Sequence, residues 1–416
     1  MKPAVIVFIA ACAGIAGAWS SGCGSTNHAD PGAGADGGGT ADSGTPGSCT
    51  PCTSDQDCNG ALCAELGGAS YCTAACPNGD ECTSDTSCEP AVTVSGSQQQ
   101  VCVPRGACAS GTGDAGTKPD DAGVPFDGGG GTPTGTIGPN GGSISRLLFA
   151  VVGDTRPATY EDLPGYPTAI ITKIFSDIEA LPARPPFVVS TGDYQFAASG
   201  STSTAGAQLD IYPSARARYS GVTFPAMGNH ECTGSTTSNC GANGTNGITA
   251  NYKAFMSKML APIQKTLPYY VINVNATDNT WTSKFVFIAA NAWDSTQATW
   301  LATALAVPTT YTFVVRHESA GSNPVAPGVA PSETIMAQHP YTLALVGHSH
   351  TYYHGNGSRE VTIGNGGAPL TSKTYGFGVF SRRSDGAITV DMIDYQTGLS
   401  DSRFHFVVKA DGSPTT

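Results

Sequence analysis

Five times between Leu147 and His350, a short apolar run of this chain stops on a residue type that binds metal ions. Leu147-Leu148-Phe149-Ala150-Val151-Val152 leads into Gly153-Asp154, and Phe187-Val188-Val189-Ser190-Thr191 into Gly192-Asp193. The later three end on Gly228-Asn229-His230-Glu231, Val315-Arg316-His317 and Gly347-His348-Ser349-His350. Apolar runs of this length bounded by turn signals read as buried strands. Between them, Thr168–Leu181 carries Ile170, Ile171, Ile174, Ile178 and Leu181 at helical spacing, and a second helix is expected over Thr296–Ala306 with Trp300, Leu301 and Leu305 inward. Further strands are expected over Phe285–Ala290, Tyr311–Val315, Thr342–Val346 and Ala387–Ile393. Strands alternating with helices, followed by a strand-rich end, indicate one α/β domain over residues 143–416. In such sheets the polar groups at the C-terminal strand ends meet in one crevice. A lone Gly-Asp or a lone histidine is an ordinary structural feature; five such ends in this order form a set.

The rest of the chain has a different texture. Only 12% of all residues are charged, against roughly 25% in an ordinary soluble domain. The net charge of −12 is unevenly placed: residues 1–142 hold 14 acidic and 3 basic residues, and residues 143–416 hold 18 and 17. The acidity therefore says nothing about the substrate of the C-terminal part, and no basic stripe points to nucleic acid. Gly-rich runs such as 32–39 and 126–131 cannot bury enough apolar area to offset chain entropy. Residues 24–48 are expected to be a flexible tether and residues 109–142 a second flexible linker. Between them, residues 49–108 hold ten of the 14 cysteines. With Cys232 and Cys240 their number is even, as a disulfide framework in an oxidising compartment requires. Cys49-x2-Cys52 alone would also suit a zinc module, but the other spacings are irregular and no histidine is near. The spacing 52-58-63-72 is weakly repeated as 76-82-88-102, which suggests two small disulfide units in tandem.

Lys2 precedes an apolar stretch, Ala4–Ala18, too short for a stable membrane span. Ser20-Ser21-Gly22-Cys23 resembles a bacterial lipoprotein processing site, with Ile9-Ala10-Ala11-Cys12 as the alternative and a plain secretory signal as another. Residues 1–23 are thus expected to be an export leader, with a lipid anchor to the membrane at Cys23.

The ordered motifs resemble those of the calcineurin-like metallophosphoesterase superfamily, which includes the purple acid phosphatases, over roughly residues 146–394. Its series runs Asp-x-His, Gly-Asp, Gly-Asn-His-Asp/Glu, a later strand-end histidine and Gly-His-x-His. The resemblance implies a four-layer α/β/β/α sandwich with a two-metal site, holding divalent or trivalent ions of the iron, zinc or manganese class (Fe, Zn or Mn). Carried over by position, Asp193 would bridge both ions. Asn229, His317 and His348 would complete one ion's site, and Asp154 and His350 would hold the other. His230 would protonate the leaving oxygen or stabilise charge beside it. The implied reaction is hydrolysis of a small phosphate ester, a monoester in preference to a diester, by a metal-bound hydroxide.

Two positions depart from the series. Where the first motif has a histidine, this chain has Arg156, which has no lone pair to give. Purple acid phosphatases instead use a tyrosine three residues after the second aspartate, and that position is Phe196; Tyr194 is adjacent but should diverge. One ion site is thus a protein ligand short, and Arg156 is expected either to clamp the substrate phosphate or to make a structural ion pair. Cys232 and Cys240 are expected to close a loop beside the site, Glu231 to orient its neighbours, Tyr352 and His354 to be possible pocket residues, and His339 and His405 to be bystanders. The alternative reading is a surface binding protein whose cysteine-rich module is functional and whose phosphoesterase-like domain lacks metal; a single-metal enzyme or an exported nuclease is the third. Nothing in the residues identifies a protein partner for the module.

Overall fold

The computed structural model describes residues 131–200, 202–371 and 374–415, with 52–58, 61–66, 69–76, 82, 86–94 and 97–104 of the cysteine-rich segment. The leader, the first tether and linker residues 109–130 lie outside the described residues. The chain divides into two compact units, Met1–Pro104 and Arg105–Thr416.

The first unit is an antiparallel sheet of β1 (Leu62–Leu66), β2 (Ala69–Thr73), β3 (Thr86–Thr93) and β4 (Gln98–Pro104), in the order β2-β1-β3-β4. Disulfides join Cys52 to Cys63, Cys58 to Cys72 and Cys82 to Cys102, and Cys76 is also bridged. Cys52, Cys58, Cys63 and Cys72 are buried against one another, so sulfur forms much of the interior. Beside them, Ala64, Ala91 and Val101 make only a small apolar cluster.

The second unit opens with β5 (Gly135–Gly138), β6 (Gly141–Ile144), β7 (Leu148–Val152), α1 (Thr168–Ala180), β8 (Phe187–Ser190), α2 (Ala205–Ala215) and β9 (Val222–Pro225). After α3 (Ala250–Phe255) come β10 (Tyr270–Ala276), β11 (Thr282–Phe287), α4 (Ser295–Ala306), β12 (Tyr311–Val315), α5 (Val329–Met336) and β13 (Leu343–Val346). The chain closes with β14 (Tyr352–His354), β15 (Glu360–Ile363), β16 (Gly376–Arg382), β17 (Ile388–Asp394) and β18 (Phe406–Val408). One sheet runs β14-β15-β13-β12-β11-β10-β6-β5 and the other β18-β17-β16-β7-β8-β9. Strands β7, β8 and β9 are mutually parallel, as are β11, β12, β13 and β15.

Period-two alternation makes these sheets a sandwich. Phe285, Phe313 and Leu345 of the larger sheet turn into the main core, while Val286, Val314 and Ala344 turn the other way onto Leu301 and Leu305 of α4 and Met336 of α5. The Phe149 ring joins the two sheets: its centroid is 5.5 Å from Phe187 and 4.8 Å from Phe380 in its own sheet, and 4.9 Å from Phe285 and 5.0 Å from Phe313 opposite. Ile171, Ile174, Phe175 and Ile178 of α1, with Leu209 and Tyr212 of α2, supply the fourth layer. The α/β/β/α order expected from the motifs is the order present.

Two expectations shift. The linker expected to reach residue 142 instead contributes β5 and β6, with β6 lying parallel to β10. Its glycines serve close strand contact rather than freedom, since a Cβ on Gly141 would stand 1.9 Å from the Asn273 carbonyl oxygen. The strand expected at Phe285–Ala290 begins earlier, at Thr282. Lys284 hid it: its buried Nζ donates to the carbonyls of Ala304, Leu305 and Val307, at the end of α4, a use of a charged residue that apolar patterning misses.

A candidate metal centre at the strand ends

Each of the five motifs lies just past the C-terminal end of a parallel strand, β7, β8 and β9 in one sheet and β12 and β13 in the other. The chain reverses sharply there: Asp154, Asp193, His348 and His350 have φ of 55°, 57°, 69° and 49°, the left-handed region that costs a non-glycine residue about 1 kcal/mol or more. The preceding glycines make room for the next ligand. A Cβ on Gly228 would meet Asp193 Oδ1 at 2.3 Å, and one on Gly347 would meet Asp154 Oδ2 at 2.4 Å.

All eight residues singled out from the sequence come together. Asp154, Asp193, Asn229, His230 and His317 are buried. His317 Nε2 lies 3.3 Å from Asp193 Oδ1 and 4.0 Å from Asp154 Oδ1. His348 Nδ1 lies 3.1 Å from Asn229 Oδ1 and 3.3 Å from His317 Nε2. His350 Nε2 is 3.6 Å from Asp154 Oδ1. Backbone carbonyls fix two of the rings: His317 Nδ1–H donates to Thr191 O at 2.9 Å and His350 Nδ1–H to Pro369 O at 2.7 Å, turning each Nε2 inward. Asn229 Nδ2 donates to Gly234 O, which leaves its Oδ1 facing the histidines.

Burial and charge then set the protonation. Burial alone would raise the Asp193 carboxyl, but His317, His230 and Arg156 hold it well below the usual carboxylate range. Burial pushes Asp154 well upward, only partly countered by His317. Burial would lower His317, yet Asp193 and Asp154 raise it well above an ordinary histidine. Burial takes His230 and His348 down to about 4. A carboxylate oxygen, an amide oxygen and two imidazole nitrogens thus converge, a donor set that suits a metal ion. Asp193, Asn229, His317 and His348 fit a metal ion on this ground, and Asp154, Asp193 and His350 bring a further three ligand atoms within 4.8 Å of one another.

Glu231 locks the second motif to the third. Its Oε2 accepts from Asp193 N at 2.9 Å and Gly228 N at 2.8 Å, and its Oε1 from Tyr194 N at 2.9 Å; burial nonetheless raises it to about 7. His230 Nε2 stands 3.7 Å from Asp193 Oδ2, with its ring edge-on to Phe196 at 4.7 Å. Arg156 enters the same space: Nε is 3.7 Å from Asp193 Oδ2, Nη2 is 3.3 Å from His350 Nε2, and the guanidinium lies 4.7 Å over the Phe196 ring. The disulfide Cys232–Cys240 closes the loop beyond the third motif, and Asn291 Nδ2 pins that loop through Thr236 O and Ser238 O.

Other candidates make their contacts elsewhere. Tyr194 is buried with its hydroxyl donating to Ser190 O, Tyr352 packs on Phe404, His354 stacks on Phe406, and His405 pairs with Asp391. One residue was missed. Glu318 is fully buried, neither carboxylate oxygen has a hydrogen-bond partner, and it groups with His317 and His348 within ligand reach. Burial raises it to about 7. Its position directly after His317 was the only signal available.

No family model matches this sequence, and no curated protein does. Among solved structures it is similar to the purple acid phosphatase PPD1 of yellow lupin (Lupinus luteus), with 16% identity, TM-score 0.45, and coverage of 66% of this chain and 59% of that one. It is also similar to GAP50, the anchor in the inner membrane complex of Plasmodium, with 16% identity, TM-score 0.43, and coverage of 65% and 90%. A dimetal phosphatase from Danio rerio matches with 12% identity, TM-score 0.43, and coverage of 64% and 99%. The chain thus spans about three fifths of the lupin protein.

Proposed function

We propose that this chain is a metal-dependent phosphoric ester hydrolase acting on small phosphate esters outside the reducing cytosol. The observation that carries the reading is the meeting of Asp154, Asp193, Asn229, His230, His317, His348 and His350 at the ends of five parallel strands. Metal ions bound there would act as Lewis acids on the phosphoryl oxygens and on the attacking water. Asp193, Asn229, His317 and His348 would hold such an ion, with Asp154 and His350 beside them.

The remaining steps belong to the protein. Hydrolysis joins a water oxygen to phosphorus as the bond to the leaving oxygen breaks, and that oxygen then takes a proton. His230, a neutral imidazole at neutral pH, faces the carboxylate side of the site, where its N–H would hydrogen-bond the leaving oxygen and stabilise its charge while the proton given up by the attacking water passes to that oxygen. Arg156 Nε, buried without a hydrogen-bond partner, is a donor left over for a phosphoryl oxygen. A monoester suits that donor better than a diester, because its phosphoryl group carries one more anionic oxygen. The disulfides of both units support an oxidising compartment, and among the described residues no helix is long and apolar enough to cross a membrane. Lipid anchoring at Cys23 remains part of the proposal.

The full chain, loaded with Mn²⁺ or Zn²⁺, should hydrolyse an aryl phosphate faster than an aryl phosphodiester. Asp193→Ala should reduce turnover to background, and His230→Ala should lower kcat by roughly 10²–10⁴-fold. No hydrolysis of either ester with metal supplied would sink the reading.

A further inference from the structure

We infer that the Arg156 guanidinium stands in for one of the two cations, so that the site takes a single metal ion beside a built-in organic cation. This deepens the function proposed above and rests on it for its chemistry, though not for its ion count.

The donors sort into two groups. Asp193 Oδ1, Asn229 Oδ1, His317 Nε2 and His348 Nδ1 face one another with no guanidinium among them. Asp154, His350 and Asp193 Oδ2 surround a different point, and there the guanidinium is already present. His350 spends its Nδ1–H on Pro369 O, so its Nε2 carries a lone pair, and that lone pair meets Arg156 Nη2 at 3.3 Å. The guanidinium Nε lies 3.7 Å from Asp193 Oδ2. A guanidinium stays protonated and gives no lone pair, so it repels a metal ion at this point rather than helping to hold it.

The two departures from the motif series now have one cause. Arginine stands at 156 in place of the histidine, and phenylalanine at 196 in place of the alternative tyrosine, which leaves the same ion one protein ligand short. The two replacements touch each other, with the guanidinium 4.7 Å over the Phe196 ring, a contact that holds a cation and offers no ligand. Arg156 Nη1 also donates to Pro157 O at 3.0 Å, and the side chain is only 13% exposed. It is fixed in the site, with Nε left for an anionic oxygen of the substrate. The phosphoryl group would then lie between a metal ion on the His317 side and a guanidinium on the His350 side.

The test counts Mn²⁺ per full chain by elemental analysis and by electron paramagnetic resonance, after stripping and reloading. Wild type should hold one ion with an uncoupled spectrum. His350→Ala should still hold one, and His348→Ala should lose it. Arg156→His should take up a second ion and show a spin-coupled pair. Two ions or none in wild type, a count that falls in His350→Ala, or a folded Arg156→His chain that still holds one would each overturn the inference. If Arg156→His does not fold, the two histidine variants decide it. Assays on the aryl phosphate and diester separate the two claims. One ion without hydrolysis would overturn the phosphoesterase reading alone, and hydrolysis with two ions would overturn this inference alone.

Discussion

His317 links cation binding to pH. Its Nδ1–H is committed to Thr191 O, and Asp193 and Asp154 raise the ring well above an ordinary histidine despite its burial. In the cation-free protein it therefore keeps the Nε2 proton at neutral pH, and a cation arriving at Nε2 must displace it. His348, lowered to about 4, has no proton to release there. The sign follows: while pH stays below the raised His317 value, each unit of increase should strengthen cation binding about tenfold. Calorimetric titration of Mn²⁺ in buffers of different ionisation enthalpy should register about one proton released per ion, and binding indifferent to pH from 6 to 7.5 would refute this account. The candidate ligands were legible in the sequence as a set, because each follows an apolar strand and stands in a motif. Glu318 was not, since nothing in an adjacent carboxylate distinguishes a buried, partnerless group from a solvated one. Arg156 was legible as a missing ligand but not as an occupant, because its contact with Phe196 joins positions far apart in sequence.

At the level of elements, the strand-to-turn junctions are held by one side chain more than by any other. Glu231 takes the amides of Gly228, Asp193 and Tyr194, and so fixes the turn after β8 to the turn after β9. Glu231→Ala would leave three buried N–H groups unmatched, each worth roughly 1–3 kcal/mol. Unfolding in urea should show a loss of about 3 kcal/mol or more, and a change under 1 kcal/mol would mean that water replaces the carboxylate. The strands bearing these turns could be read from apolar runs, as Leu148–Val152, Phe187–Ser190 and Tyr311–Val315 show. The start of β11 could not, because Ser283 and Lys284 are polar residues in buried positions, Ser283 bonded to Val274 O of β10 and Lys284 to carbonyls of a helix and the turn after it.

Across the whole molecule, two units use different means of holding together. The second has the aromatic cluster around Phe149. Among its described residues the first buries half-cystines, Tyr71, two alanines and a valine, so its bridges confine an unfolded chain that these apolar contacts alone do not offset. A phosphine reductant should abolish hydrogen-exchange protection in β1–β4 while β7, β8 and β12 stay protected; persistent protection in β1–β4 after complete reduction would contradict this. The cysteine count pointed to such a module, whereas glycine-rich texture concealed β5 and β6. That concealed hairpin has a further consequence. Strand β10 pairs with β11 on one side and with β6 on the other, from Asn273 to Ala276. A chain trimmed at residue 143, where the sequence texture changes, would lose β5 and the first half of β6, and would uncover the edge of β10 at Asn273 and Val274, in a strand whose alternate side chains are buried. Such an edge is a template for self-association, so a chain cut there should self-associate more readily than one that keeps the hairpin.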